Sequence, residues 1–255
     1  MIQNAHEDNS FKIMDVDELL RRYAAAERDF AEVDLAVVNL REANLVSANL
    51  HGANLSNSDL REARLGHSNL VQANLSQANL SEIILWGADL TEANLSLAQL
   101  READLSGAIL IKANLEQTNL AKACLCGCNL SSANLAKAIL FEADFRPTSH
   151  QQTDLKGANL SQADFSYAHL NGVQLSYAKL DNAKLCRANL SVWKKEQVYQ
   201  TNLSEASLQG ADLSYADLTG ANLQKANLLG ADLTRTILTD ANLRGAIMPD
   251  GSVHE

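Results

Sequence analysis

The chain is poor in proline, in aromatic residues and in cysteine. Of its 255 residues, two are Pro, 5% are aromatic and four are Cys, at positions 124, 126, 128 and 186. No apolar run approaches 18 residues, so we expect no transmembrane helix. The first residues lack a basic segment followed by an apolar one, which argues against a secretory signal. Four cysteines at this spacing do not resemble a disulfide framework, and we expect a reducing, cytoplasmic location.

Basic residues are outnumbered by acidic ones. The 31 Asp and Glu against 21 Lys and Arg give a formal net charge of −10. A net negative charge disfavours broad contact with phosphate backbones and anionic lipids. We therefore expect neither direct nucleic-acid binding nor membrane binding. Hydrophobic residues, mostly Leu and Ala, make up 46% of the chain, and its length allows one sizeable core.

A repeat of five residues dominates the sequence. Every fifth residue from Phe30 to Leu190 gives 33 central positions, of which 29 are Leu. The other four are Phe30, Phe145, His150 and Phe165. The repeat resumes at Leu203 and continues to Leu243, with Met248 as the next central residue. A small residue, usually Ala, lies two places before each centre, and Asn or Asp lies between them, which gives the unit A-(N/D)-L-x-x.

A period of five suits neither an α-helix nor a straight β-strand. Successive leucines would be scattered around a helix, which turns every 3.6 residues. In a strand they would alternate between the two faces. A chain that bends once per repeat would turn the small residue and the Leu inward together. The Asn or Asp would then point outward, and the last two residues would form a corner.

The spacing of glutamates and glycines indicates four bends in each coil. Five glutamates are separated by multiples of 20 residues, as are the glycines at 87, 107 and 127. A coil of 20 residues would stack each set in a column along the rod. We call the glutamates the acidic column, which consists of Glu42, Glu62, Glu82, Glu102 and Glu142.

The repeat unit closely resembles the pattern of the pentapeptide-repeat family, over nearly the whole chain. The resemblance implies an all-β solenoid, a right-handed quadrilateral β-helix of roughly eleven coils over residues 29–250. The irregular stretches FRPTSHQQTDL, KLCRANL and GAIMPDGSVHE are similar to one branch, the HetL-type regulators of heterocyst differentiation in cyanobacteria. That resemblance implies a regulator of cell fate that binds other control proteins.

The ends of the repeat region need covering, because coil edges expose unpaired backbone groups. Residues 1–28 form a leader in which we predict a capping helix over about 15–27. Asp15 and Glu18 have the spacing of a capping box, and Leu19 and Tyr23 recur at helical intervals. This helix either covers the first coil or binds a partner. Residues 251–255 form a tail after a Pro-Asp-Gly turn.

Two segments interrupt the repeat. Residues 146–154 replace one regular repeat without changing its phase, with Pro147 and His150 at irregular positions. They form either a locally distorted coil or a functional loop. Residues 191–202 add three residues to the pattern, and we expect a loop that carries Trp193, Lys194 and Lys195. This loop either anchors a partner or folds Trp193 back onto the coil wall.

One face differs from the others in composition. Counting in steps of 20, it holds Trp86, Arg146, Tyr167 and Arg187, next to the acidic column. The same count adds three further outward residues, His67, Cys126 and His169. A mixed, exposed stripe of this kind is typical of a protein-binding surface. The alternative is that outward positions vary without consequence.

Chemistry beyond binding has little support in the sequence. We find no nucleophile–base cluster, no phosphate-binding loop and no two-histidine zinc motif. The cysteines of CLCGC (124–128) are the strongest metal candidates, but Cys128 faces inward and the other two flank a corner. We therefore expect no catalytic residues, no metal and no cofactor.

Two functions remain in competition. The first is a monomeric, non-enzymatic regulator in the cytoplasm that contacts one or more regulatory proteins. The second, implied by other pentapeptide-repeat proteins, is a DNA-mimicking inhibitor or modulator of DNA gyrase. The net charge and the acidic column are compatible with mimicry. Interspersed arginines, and the lack of the C-terminal helix through which such mimics dimerise, favour the first function.

Overall fold

A short N-terminal cap is followed by a long solenoid. The structure is a computed structural model that describes residues 12–195 and 197–255. Strand β1 (Lys12–Ile13) precedes helix α1 (Val16–Ala24), and strand β2 (Val33–Asp34) lies in the first coil. Two further strands, β3 (Trp193–Lys194) and β4 (Val198–Tyr199), form an antiparallel hairpin within the second interruption.

Parallel backbone bridges stack the coils. Regular bridges join residues 20 apart, as in the run Asp29, Asn49, Asn69. Two sides of the solenoid each stack eleven such residues, joined by ten bridges, and the other two each stack ten, joined by nine. The predicted right-handed quadrilateral β-helix of roughly eleven coils is therefore confirmed.

The repeat's inward residues fill the core. Leu and Ala at those positions are almost all fully buried, from Leu35 to Leu228. Phe145 and Phe165 stack inside with their ring centroids 5.8 Å apart. Because each coil buries its leucines only against its neighbours, the stability of the rod depends on contacts between adjacent coils.

Corners repeat one hydrogen-bonding pattern. The second corner residue has left-handed backbone angles, with φ near 60° at Glu82 and Lys122. Its amide donates to the coil above, as from Gly107 N to Cys126 O at 2.9 Å. The side-chain oxygen of the outward Asn or Asp accepts a hydrogen bond from the backbone amide of the first corner residue. Where this residue is Asn, its side-chain amide also donates to the outward residue of the coil below. Examples are Val71 N to Asn69 Oδ1 at 3.1 Å and Asn69 Nδ2 to Asn49 Oδ1 at 2.9 Å. These bonds explain why the repeat uses Asn and Asp there.

Helix α1 covers the first coil. Asp15 Oδ1 accepts from Glu18 N at 2.7 Å, which is the N-cap contact expected from the sequence. Leu19 is fully buried, and the Tyr23 hydroxyl donates to Val46 O at 2.9 Å. The helix ends at Ala24, earlier than predicted, because Ala26 turns into the left-handed region at φ 69°. Residues 1–11 of the predicted leader lie outside the described residues.

The first interruption is an insertion of five residues. Asp144 pairs with Cys124, and Asp154 pairs with Asn129. In the coil below, Cys124 and Asn129 are five residues apart, whereas their partners Asp144 and Asp154 are ten apart. The segment therefore adds five residues and does not replace a repeat as predicted. A five-residue insertion preserves a period of five and is therefore invisible to it.

The second interruption is an insertion of eight residues rather than the three expected. Asn189 and Asn202 are the outward residues on either side of it. They are thirteen residues apart, whereas successive outward residues of regular repeats are five apart. Eight and three leave the same remainder when divided by five, so the period alone could not separate them. The additional length provides the β3–β4 hairpin.

Leu115→Ala tests the inward assignment. Leu115 is fully buried at mid-rod, and its truncation should lower the free energy of unfolding by about 2–5 kcal/mol through lost burial and a residual cavity. Leu97→Ala is the control, since Leu97 is 46% exposed at a corner and should change stability by at most about 0.5 kcal/mol. Urea unfolding measures both. Equal losses would contradict the assignment.

Candidate protein-interaction surface

Both insertions leave the solenoid at the same corner. Their starting residues, Asp144 and Asn189, belong to one column of rungs, and their ending residues, Asp154 and Asn202, belong to the next. One uninterrupted coil lies between the insertions and passes this corner at Gly172. We call residues 146–153, 191–195 and 197–201 the loop cluster.

The two insertions return to the coil through the same short motif, Gln-Thr-(Asp/Asn)-Leu. In the first, Thr153 Oγ1 accepts from Gly127 N at 2.8 Å. In the second, Thr201 Oγ1 accepts from Gly172 N at 2.7 Å and donates to Ser191 O at 3.0 Å. Both threonines are fully buried. Each hydroxyl provides the acceptor that the glycine amide would otherwise find in the regular coil above.

The glutamines of the motif make a second matching contact. Gln152 Nε2 donates to Gly172 O at 2.9 Å, and Gln200 Nε2 donates to Gly220 O at 2.8 Å. Each insertion is thus bonded to a glycine corner below it and to another above it. These bonds fix both loops to the rod.

Glycine at these corners lets the loops lie against the backbone. A Cβ on Gly172 would come within 2.9 Å of Tyr199 Cβ, 3.0 Å of Trp193 Cβ and 3.1 Å of Pro147 Cγ. Gly127 similarly lies under Thr148, where a Cβ would be 2.8 Å from Cγ2. Gly172 therefore brings both insertions into contact over one coil.

The loop cluster forms an open cleft with a volume of about 180 Å³. Buried Pro147 and half-buried Trp193 and Tyr199 contribute apolar surface to it. The cleft is lined by Pro147, Thr148, Ser149, Trp193, Lys195, Gln197 and Tyr199. Residues from both insertions are needed to form it.

Two cations lie close to the Trp193 ring. The Lys195 Nζ lies 4.8 Å from the ring centroid, and the Arg146 Cζ lies 5.9 Å from it. Asp144 holds Arg146 through contacts of 2.9 Å to Nε and 2.6 Å to Nη2. Burial acts to raise the pKa of Asp144, but its hydrogen bonds and ion pair with Arg146 outweigh burial and lower that pKa. The carboxylate therefore stays charged and keeps the guanidinium beside the tryptophan.

Most of the interaction residues expected from the two interruptions lie in or beside this cleft. The structure brings Arg146, Pro147, Trp193 and Lys195 together, and it exposes Lys194 and His150 nearby in the same loops. Sequence reasoning treated the two interruptions as separate. Their shared Gln-Thr-(Asp/Asn)-Leu ending was the signal that could have related them.

Trp86 lies elsewhere on this corner, three coils below Arg146. Its ring packs against His67, with centroids 4.0 Å apart, and it is 42% exposed. The sequence placed it on the same face as Arg146, and the rungs agree. It does not line the cleft.

Tyr167 and Arg187 occupy a different corner from the one predicted. The five-residue insertion shifts all later repeats by one side, so the prediction that they share a face with Trp86 and Arg146 was wrong. The insertion also moves His169 to another side of the coil, where its backbone pairs with that of Asp144. Tyr167 instead follows Glu142 in the acidic column.

Above Glu142, that corner becomes a stack of alternating aromatic and cationic side chains. The Arg187 guanidinium lies 5.6 Å from the Tyr167 ring and 5.3 Å from the Tyr215 ring, and that of Arg235 lies 5.5 Å from Tyr215. We call Tyr167, Arg187, Tyr215 and Arg235 the tyrosine–arginine ladder. Counting in steps of 20 could not reveal it, because the first insertion separates Tyr167 from the glutamates and the second separates Arg187 from Tyr215.

The acidic column occupies the corner next to that of the loop cluster and does not line the cleft. It begins at Glu42, five coils below Glu142, and the rungs stack its members as the spacing of 20 predicts. Glu42 is the most solvent-accessible of the paired glutamates, with 67% of its side chain exposed. The column and the cleft are therefore two separate surfaces. The residues concerned are Glu42, Glu62, Glu82, Glu102 and Glu142.

Basic side chains give the acidic column mixed charge. Arg41 lies between two of its glutamates, with Nε 3.5 Å from Glu42 and Nη2 2.5 Å from Glu62. Further along, Arg101 pairs with Glu102 at 2.7 Å, and Lys122 pairs with Glu142 at 3.7 Å. All of these side chains are well exposed, so solvent screens the pairs and they contribute little to stability. Their effect is to neutralise part of the negative field along this corner.

Residues 12–195 and 197–255 contain no cluster suited to a metal ion. Within these ranges, no group of three or more His, Cys, Asp or Glu side chains is placed to hold one. The one α-helix of this part of the chain is too short and too polar to cross a membrane.

Gly172→Ala tests whether the loops depend on this glycine. The added methyl should displace Trp193 and Pro147, and so shift the Trp193 emission and lower the melting temperature. Gly107→Ala is the matched control, because Gly107 has nearly the same φ, 66° against 70°, but open space around its Cβ position. Fluorescence in a Trp86→Phe background and thermal melts measure both. Equal effects would show that backbone strain alone is responsible.

Acid titration tests the Asp144–Arg146 pair. Since the folded pKa of Asp144 is lowered, the pair should persist from neutral pH to below the ordinary aspartate value of about 3.9. Its contribution to stability is lost as pH falls through the lowered pKa. In Trp86→Phe, the Trp193 emission should therefore stay constant down to about pH 4 and change only below it. A transition well above pH 4 that Asp144→Asn removes would contradict the shift.

Comparison with known proteins identifies the repeat. The family model for pentapeptide repeats matches eight copies, over residues 29–66, 68–107, 108–146, 153–191 and 201–240. The comparison with curated protein sequences gives no match. Among solved structures, the chain is similar to HetL, a pentapeptide repeat protein involved in heterocyst differentiation regulation from the cyanobacterium Nostoc sp. strain PCC 7120. The two share 56% identity over 94% of this chain and 100% of HetL, with a TM-score of 0.87.

Other solved structures match over shorter lengths. Rfr23, a pentapeptide repeat protein from the cyanobacterium Cyanothece 51142, is 40% identical over 37% of this chain and 58% of its own, with a TM-score of 0.27. A pentapeptide repeat protein from the Arabidopsis thaliana thylakoid lumen is 25% identical over 39% of this chain and 67% of its own, with a TM-score of 0.35. The family match over most of the chain and the extent of the HetL similarity show that this chain belongs to the pentapeptide-repeat family.

Proposed function

We propose that this protein is a non-enzymatic, monomeric regulator of heterocyst differentiation that contacts one or more regulatory proteins in the cytoplasm. The similarity to HetL supports the biological role, since it extends over the whole of that protein at 56% identity. The loop cluster supports the mode of action. It is the observation on which the proposal rests.

The loop cluster has the properties of a preformed binding site. Its Trp and Tyr are residue types that frequently anchor protein interfaces. At its returning end, each loop is bonded to a glycine corner below it and to another above it, which reduces the conformational freedom that is lost when a partner binds. A regular corner of the rod, with two residues per turn, offers no comparable concave surface.

The charge of the cleft favours an acidic partner segment. Arg146, Lys194 and Lys195 gather at one corner of a chain whose formal net charge is −10. A partner carboxylate beside Trp193 would lie close to Lys195 and Arg146, which are both near the ring. Such complementarity would raise the association rate and orient the partner, and salt would weaken both effects.

The gyrase alternative receives less support from the charge distribution. A mimic of duplex DNA needs a sustained negative surface. Here Arg41, Arg101 and Lys122 interrupt the acidic column, and the tyrosine–arginine ladder replaces it further along the same corner. The arrangement suits specific protein contacts better than imitation of a phosphate backbone.

Replacing both Trp193 and Lys195 with Ala should weaken partner binding about tenfold or more, because an anchoring aromatic and an adjacent charge are lost together. The control is Lys156→Ala with Tyr177→Ala, which removes a similar pair from another corner, where Nζ lies 5.9 Å from the ring centroid. Tagged proteins would be incubated with native extract of a heterocyst-forming cyanobacterium. Proteins retained by the wild type and the control would be identified, and their affinities measured with purified components.

The same experiment separates the two functions. A regulatory protein lost only from the Trp193/Lys195 variant would support the proposal. Equal retention by all three proteins would remove the loop cluster from it. Recovery of gyrase subunits, together with inhibition of supercoiling by the wild type, would favour the DNA-mimic alternative.

A further inference from the structure

Two cysteines face each other beneath the loop cluster. At each corner, the side chains immediately before and after the central residue lie on the same outer side. Polar pairs at these positions bond to each other, as Ser131 Oγ does to Asn129 Oδ1 at 2.7 Å and Ser161 Oγ to Asn159 Oδ1 at 2.9 Å. Cys124 and Cys126 hold the equivalent positions around buried Leu125. The corner geometry therefore directs their thiols toward each other.

The surroundings of the two thiols suit oxidation. Both residues are half-buried, so small oxidants can reach them. A hydrogen bond from Cys126 lowers the pKa of Cys124 to about 7, and the same bond raises the pKa of Cys126. At neutral pH, Cys124 thus provides much more thiolate than an ordinary cysteine, with a proton donor beside it.

The other cysteines differ from this pair. Cys128 is fully buried, burial raises the pKa of its thiol, and its Sγ lies 2.8 Å from Leu105 O. Cys186 is half-buried further up the rod, at the corner of the tyrosine–arginine ladder. Each provides an internal reference for reactivity.

A short chain of contacts joins the pair to the cleft. Cys126 Sγ lies 3.7 Å from Asp144 O, to which its S–H donates while Cys124 is protonated, and the Asp144 carboxylate holds Arg146 beside Trp193. Cys126 also lies directly below Arg146 in the same column of rungs. Loss of the Cys126 S–H would remove the donor to Asp144 and draw Cys126 toward Cys124.

We propose that Cys124 and Cys126 form a reversible disulfide when the protein meets a hydroperoxide, and that this disulfide displaces Arg146 from Trp193. The displacement would alter the cleft of the proposed function. Formation of the disulfide does not depend on that function.

The reaction balances with the peroxide as oxidant. The Cys124 thiolate attacks one peroxide oxygen, the O–O bond breaks, and the leaving oxygen takes the proton of Cys126 to give water or an alcohol. Cys124 is then a sulfenic acid. The Cys126 thiolate attacks its sulfur, the S–O bond breaks, and the departing hydroxide takes a proton from solvent. The two sulfurs supply the two electrons that reduce the peroxide.

Peptide mapping of the full chain after hydrogen peroxide treatment tests the modification. Trypsin cleavage after Lys122 and Lys137 releases residues 123–137 with all three cysteines of the CLCGC motif. After denaturation and alkylation, we expect this peptide to carry one alkyl group, on Cys128, and to be lighter by two hydrogen atoms elsewhere. Dithiothreitol should restore three alkylation sites. Cys124→Ser and Cys126→Ser should abolish the internal bond, whereas Cys186→Ser should leave it unchanged.

Trp193 emission tests the coupling, in a Trp86→Phe background that leaves Trp193 as the single tryptophan. Peroxide should shift the emission, and Cys124→Ser should abolish the shift. Three alkylation sites after peroxide treatment would overturn the proposal. So would a disulfide that leaves the emission unchanged. Neither measurement uses a partner protein, so failure here is distinguishable from failure of the proposed function.

Discussion

Backbone hydrogen bonds between adjacent coils are the constraint on which the rest of this molecule depends. Each coil turns through left-handed corners whose amides need an acceptor in the next coil, and a buried amide without a partner is costly. An insertion removes that acceptor. Thr153 and Thr201 replace it with a hydroxyl, so the rod can carry two loops without losing its ladder.

The same constraint accounts for the candidate binding site. Loops attached to a repetitive scaffold are usually mobile. These two are hydrogen-bonded to the coil below and to the coil above, and they lie against glycines that allow close contact. Their position two coils apart on one corner brings Pro147 of one loop and Trp193 of the other over the same residue, Gly172. A rigid rod that carries a shaped cleft suits a regulator that recognises a partner without changing shape.

Much of the fold was predictable because the repeat determines it. Period five, small residues before each Leu and columns at intervals of 20 indicated four-sided coils, and Asp15 marked the start of the cap. The lengths of the insertions were not predictable in the same way. An insertion of five residues does not change the phase of a five-residue repeat. An insertion of eight residues shifts the phase by the same amount as an insertion of three. Tyr167 and Arg187 were therefore assigned to the wrong corner, and the ladder they form with Tyr215 and Arg235 was missed.

The most direct test of this account is amide hydrogen exchange at Gly172 in the wild type and in Thr201→Val, which keeps the shape of the side chain but removes its hydroxyl. Gly107 serves as a regular corner and Gly127 as the corner repaired by Thr153. If the hydroxyl replaces the missing acceptor, Gly172 should be protected like Gly107 in the wild type and exchange much faster in the variant. Gly107 and Gly127 should stay unchanged. Equal exchange of Gly172 in both proteins would contradict the account.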